Sequence, residues 1–154
     1  MREKTCCFTG HRFIPEPERA VIEKELEAQI KKLIKRGIIY YEAGGALGFD
    51  TLAAQTVLRL REKYPEIKLI LVLPCRNQTR GWKEEDILEY ERIKAGADKC
   101  RILSEYYYDG CMHERNRRLV DSAACCICYL RRNTGGTAYT VNYAKENGVE
   151  IIAL

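Results

Sequence analysis

Three short stretches of this chain combine glycine with residue types that hold anions. In Thr9-Gly10-His11-Arg12, Gly10 permits close backbone approach while His11 and Arg12 offer donors to a phosphate. Gly44-Gly45-Ala46-Leu47-Gly48-Phe49-Asp50 runs directly into an amphipathic segment. Its glycines would let backbone N–H groups face a phosphate at a helix N-terminus, where the helix dipole favours negative charge. The loop does not match G-x-G-x-x-G, and no Gly-Lys-Ser/Thr follows to make it a Walker A loop. Asn133-Thr134-Gly135-Gly136-Thr137 forms a second glycine-rich helix entrance. Two such entrances in one small sheet favour a phosphate or nucleotide site over structural turns.

Other residues carry two readings each. Asp50, in a first helical turn, either stabilises the dipole or takes a ribose hydroxyl. Asp50 and Glu114 are also the motif-associated carboxylates that a nucleotide N-glycosidase-like hydrolase would need near the ribose. Arg115, Arg117, Arg118, Arg131 and Arg132, with nearby tyrosines, form either a single-stranded nucleic-acid surface or a solvated helix face and loop. Tyr106-Tyr107-Tyr108 would stack a base or cover a sheet edge, and Trp82 caps a pocket or packs under a loop. Cys125 and Cys128 form C-x-x-C, but no second pair or histidine partner has zinc spacing, and Cys111 with His113 reads as two solvent-facing side chains rather than ligands. No metal site or catalytic residue is assigned.

The elements that must position these residues follow from periodicity. Short apolar runs predict strands at residues 5–9, 38–43, 67–73, 100–103, 125–130 and 150–153. Helical spacing predicts helices over about 16–36, 48–64, 83–96, 111–123 and 137–147, the first with Ile22, Leu26, Ile30 and Leu33 on one face and Gly37 as its stop. This alternation implies an α/β chain, a Rossmann-like three-layer αβα sandwich with a mostly parallel sheet. Ligands of such sheets collect outside the carboxyl ends of the strands. The polar segments 75–82 and 104–110 read as mobile loops.

At 154 residues the chain is sized for one domain, residues 1–154. No apolar run approaches the roughly 20 residues of a membrane span, which argues against a membrane partner. The N-terminal residues lack a signal-peptide pattern, so the reading is cytoplasmic, with the eight cysteines reduced. A net charge of +4 suits an anionic ligand without requiring nucleic acid.

Taken in order, these motifs resemble the YpsA-type branch of the SLOG superfamily, Rossmann-like domains related to DNA processing protein A and the LOG phosphoribohydrolases. The resemblance spans nearly the whole chain. It rests on Thr9-Gly10-His11-Arg12, the Gly44 to Asp50 loop, Pro74-x-x-x-Gln78-x-x-x-Trp82, Arg115-Asn116-x-x-Leu119-Val120-Asp121 and Gly135-Gly136-Thr137. LOG enzymes carry Pro-Gly-Gly-x-Gly-Thr-x-x-Glu, whereas Asn133 to Thr140 has no glutamate at that place, and Asn116 stands where they have lysine. The resemblance therefore implies binding or sensing of a nucleotide-derived small molecule, a nucleotide or dinucleotide, with no cofactor assigned. In that reading Gly44, Gly45, Gly135 and Gly136 hold phosphate, Arg12 neutralises charge, Asp50 takes a sugar hydroxyl and Asn116 faces the pocket. Gln78, Trp82 and Arg115 join as motif residues. The hydrolase and single-stranded nucleic-acid readings stay open, as does a homo-oligomer.

Overall fold

The computed structural model describes all 154 residues. Six strands form one sheet: β1 (Thr5–Gly10), β2 (Tyr40–Ala43), β3 (Lys68–Leu73), β4 (Lys99–Ile102), β5 (Cys125–Tyr129) and β6 (Glu150–Ala153). Five helices connect them: α1 (Glu16–Lys35), α2 (Phe49–Lys63), α3 (Glu84–Gly96), α4 (Cys111–Asp121) and α5 (Gly136–Glu146). The strand order is β4-β3-β2-β1-β5-β6, and every neighbouring pair is parallel. The sheet is thus wholly parallel, where composition and alternation implied only a mostly parallel one.

Burial follows the pleat. Cys6, Phe8, Tyr41, Leu69, Leu71, Cys125 and Ile127 face one layer, where Ile22, Leu26, Ile30 and Leu33 of α1 pack with Phe49, Leu52 and Val57 of α2 and with Tyr90 and Ile93 of α3. Cys7, Ile70, Val72, Cys126 and Cys128 face the opposite layer, closed by Leu119 and Val120 of α4 and Val141 and Ala144 of α5. The spacing of the four α1 residues keeps them on one stripe. Each fully buried Ile or Leu contributes about 1.5–3 kcal/mol. The helix begins with Pro17 in its first turn and stops at Gly37, whose φ of +89° closes it. No helix is long and apolar enough to cross a membrane.

Because all strands are parallel, every loop after a strand emerges at one edge. The chain winds from β1 to β4 on one side, then returns to place β5 against the other side of β1. The β1/β5 boundary is the topological switch point, where two loops diverge and leave a crevice. The polar segments 75–82 and 104–110, expected to be mobile, are tied together at the same edge, beyond the ends of β3 and β4. The Arg76 N–H donates to Ser104 O at 2.9 Å, the Tyr107 N–H to Asn77 Oδ1 at 3.0 Å, and Arg76 pairs with Glu105.

Candidate functional site

A cavity of about 440 Å³ opens at the switch point. Thr9, Gly10, His11, Arg12 and Phe13 enter it from the end of β1, Ala46 and Asp50 from the start of α2, and Arg132, Gly136 and Thr137 from the entrance to α5. Met112, His113, Arg115 and Asn116 of α4 close it. Both glycine-rich helix entrances therefore contribute, and at the same edge.

His11 is a buried member of this wall. Its Nε2 accepts the Arg131 N–H at 2.8 Å, and its own carbonyl accepts the Phe49 N–H at 3.1 Å. Burial pushes its pKa below the ordinary histidine value, and the Arg132 and Arg131 charges push the same way. Through Nε2 and its carbonyl, His11 is thus a brace that joins the β1, β5 and α2 ends. Arg12 beside it is exposed, and its guanidinium makes no hydrogen bond or ion pair within the protein.

The Gly44 to Asp50 loop serves a different purpose from the one its composition suggested. The Gly44 carbonyl accepts from the Arg115 guanidinium and, at 3.3 Å, from Gln78 Nε2. A Cβ at Gly45 would lie 2.5 Å from Leu73 Cδ2, and one at Gly48 would collide with the Arg12 carbonyl at a φ of +76°. The Phe49 ring occupies the space that a side chain at Gly10 would need. Gly44, Gly45 and Gly48 line no part of the switch-point cavity, so the idea that Gly44 and Gly45 present N–H groups to phosphate gives way to close internal packing. Asp50 is buried with Oδ2 accepting the Ala46 N–H at 3.2 Å, and burial holds its pKa above the usual carboxylate value despite the nearby Arg115. Arg115 is 3% exposed; its Nε donates to Asn116 Oδ1 at 2.8 Å. Burial lowers the pKa of Arg115, while the Asp50 charge opposes that shift.

At α5 the situation is reversed. Gly135 holds a φ of +94°, and an added Cβ at Gly135 or Gly136 would meet nothing. No side chain caps α5 and no acidic residue lies in its first turn. Gly136 and Thr137, in the first turn whose N–H groups lack intrahelical acceptors, line the cavity with Arg132, which also makes no hydrogen bond or ion pair.

Gln78 and Trp82 do not line this cavity. Gln78 accepts from the Tyr90 hydroxyl at 3.3 Å, and the Trp82 ring meets Tyr90 edge to face at 5.5 Å. Both line a neighbouring cavity. Among the arginines grouped as a nucleic-acid surface, Arg115 is buried, Arg118 pairs with Glu114, Arg131 with Glu18, and Arg117 donates to the Tyr139 hydroxyl. Glu114 accepts from the Tyr108 hydroxyl and lies outside the cavity, so Asp50 is the one carboxylate in its wall. Cys125 and Cys128 point to opposite faces of the sheet and cannot hold one ion between them. Cys111 is buried rather than at the surface, while His113 packs on Tyr139 with ring centres 4.3 Å apart. Sequence reasoning missed Thr9, Phe13, Met112 and His113 as wall residues. The α4 pair had a usable signal, because Met112 and His113 lie four and three residues before Asn116 on the same helical face.

Known proteins agree with this architecture. A family model described as the YspA SLOG family matches residues 10–150. A UPF0398 protein of Brevibacillus brevis is 29% identical over 84% of the chain and 71% of its own length. One of Halalkalibacterium halodurans is 30% identical over 81% of the chain and 68% of its own. Among solved structures, DNA processing protein A from Streptococcus pneumoniae superposes with a TM-score of 0.70 at 18% identity over 98% of the chain. The Helicobacter pylori protein of that name, solved for its single-stranded DNA binding mode, gives 0.65 at 20% over 99%. The chain spans only 50% and 65% of those two structures, and the likeness is one of fold. With the family model covering all but the ends of the chain, this protein belongs to the YpsA branch of the SLOG family.

Proposed function

We propose that the chain binds a nucleotide-derived ligand, with a phosphate seated at the amino end of α5 between Arg12 and Arg132. One observation carries this reading: an uncapped, open glycine entrance to α5 shares a cavity of about 440 Å³ with two guanidinium groups that have no partner in the protein. Backbone donors and the helix dipole favour an anion there, and the two exposed arginines add charge-assisted donors. The volume lies within the roughly 300–1,000 Å³ of small-ligand clefts. Calorimetry with ADP on the wild type, Arg132→Ala and Gly136→Val tests it. Binding weakened at least about tenfold in both variants supports the reading; no binding of ADP, ATP or AMP at millimolar concentration overturns it.

Single-stranded DNA is the second reading. It is favoured by the similarity to the H. pylori protein, whose DNA binding is of that kind, and by the same exposed arginines. The small ligand is favoured because the cavity sits at the switch point, with the open amino end of α5 in its wall.

A further inference from the structure

Beside the switch-point cavity lies another of about 300 Å³, and Arg12 and Met112 belong to the walls of both. The rest of its wall comes from the loops after β3 and β4, including Gln78, Arg80, Trp82 and Tyr107. These walls are held in place. The two loops are hydrogen-bonded to each other through Arg76, Asn77 and Tyr107, and Trp82 is braced edge to face against Tyr90. Gln78 is already committed to Gly44 and Tyr90. What remains available is the half-buried indole of Trp82, the exposed ring of Tyr107 and the Arg80 guanidinium. Arg12, Arg19, Arg80, Arg101 and Arg132 are the arginines whose side chains make no hydrogen bond or ion pair within the protein. Three of these, Arg12, Arg80 and Arg132, line the two adjoining cavities.

Aromatic rings beside a free guanidinium hold a flat heterocycle by stacking and cation–π attraction. The geometry points to one extended ligand, a dinucleotide in which two nucleosides are joined through a diphosphate. One nucleotide half fills the switch-point cavity, the diphosphate passes over Arg12 and Met112, and the second base stacks in the Trp82–Tyr107 compartment. This inference rests on the nucleotide reading above and adds the second compartment to it.

Trp82 is the only tryptophan in the chain, so its fluorescence reports on that compartment alone. ADP and diadenosine diphosphate serve as probes, with calorimetry and fluorescence on the full chain and circular dichroism to confirm folding of each variant. Diadenosine diphosphate is expected to bind about tenfold more tightly than ADP, the gain of one stacked base, and to change Trp82 emission, whereas ADP binds with emission unchanged. Trp82→Ala removes the tenfold gain and leaves ADP affinity intact; Trp82→Phe keeps most of it. Equal affinities for the two probes, or a Trp82→Ala variant that weakens both alike, overturn the second compartment while the nucleotide reading stands. Failure of both probes to bind overturns the two together.

Discussion

His11 Nε2 and the Arg131 backbone N–H, 2.8 Å apart, join the loop after β1 to the loop after β5 across the switch point. This bond exists only while the imidazole nitrogen keeps its lone pair. Protonation removes the acceptor and adds a charge beside Arg131 and Arg132. The folded-state pKa lies below the ordinary value of 6.5, so the unfolded chain takes up the proton first as pH falls. His11 therefore contributes full stability above pH ~6.5 and loses it as pH drops through the folded value. Thermal melts of the wild type should show a falling Tm between pH 7 and 5 in excess of that of His11→Gln, whose amide oxygen stays an acceptor. Identical slopes for wild type and His11→Gln would remove His11 from its bracing role.

Arg115 and Asp50 form the buried charged centre under the Gly44 loop. Arg115→Met leaves the Gly44 carbonyl short of a donor and the Asp50 carboxylate without compensating charge, a loss of about 3 kcal/mol by urea denaturation. The pH dependence carries the sign. Asp50 already has a raised pKa, and without Arg115 it rises further, so its penalty is absent at low pH and grows as pH rises through the folded value. Arg115→Met should consequently be more destabilised at pH 8 than at pH 5. Adding Asp50→Asn should flatten that difference, and a flat profile in Arg115→Met alone would mean that the two groups do not interact.

The sheet and its helices were legible because burial leaves a period in the sequence: the α1 stripe from Ile22 to Leu33 and the continuous apolar run of β5 admit few other readings. Strand direction was legible only in part, since alternation with helices implies parallel pairing without ruling out an antiparallel edge. The purpose of the glycines was not legible. A missing Cβ makes room equally for a ligand or for the protein itself, and Phe49, Leu73 and Arg115 occupy that room at Gly10, Gly45 and Gly44. Arg115 was equally opaque, because an arginine in the polar run His113 to Arg118 reads as solvated until a facing carbonyl from 71 residues away appears beside it.

That difference between glycines is measurable. Gly136 opens α5 with ordinary backbone angles and free space around it, so Gly136→Ala should leave stability unchanged or raise it by up to about 1 kcal/mol through the unfolded state. Gly48→Ala and Gly10→Ala must displace the Arg12 backbone or the Phe49 ring and should each cost about 2 kcal/mol or more. Chemical denaturation of the three variants decides this, with a costly Gly136→Ala the outcome that contradicts it.

Asp50 also bears on chemistry. As the one carboxylate in the cavity wall, with its pKa raised by burial, it is the residue a nucleotide hydrolase would use to protonate a leaving base. On the binding reading, AMP and ADP incubated overnight with the protein are recovered intact by chromatography. Release of free adenine that is lost in Asp50→Asn would assign the hydrolase activity instead; the Asn side chain retains an acceptor for the Ala46 N–H, so the loop should stay folded.

Small nucleotide and single-stranded DNA are separated by salt and by Gly136. With Arg115 buried and Arg117, Arg118 and Arg131 engaged within the protein, a strand crossing this edge would rely on Arg12, Arg80 and Arg132. Each phosphate neutralised contributes about −0.7 to the slope of log affinity against log salt, so three arginines give about −2. A phosphate held largely by the α5 N–H groups releases fewer counterions, and ADP should show a slope shallower than about −1. Removing the arginines weakens both ligands and decides nothing; Gly136→Val does decide. A β-branched side chain there closes the approach to the α5 N–H groups, which abolishes ADP binding but leaves a strand lying across the outer arginines in place. Fluorescence anisotropy with labelled oligo-dT, run beside ADP calorimetry at 50 and 200 mM salt, measures both. Tight oligo-dT binding with a slope of about −2 or steeper, retained in Gly136→Val while ADP binds neither protein, would transfer the site from nucleotide to nucleic acid.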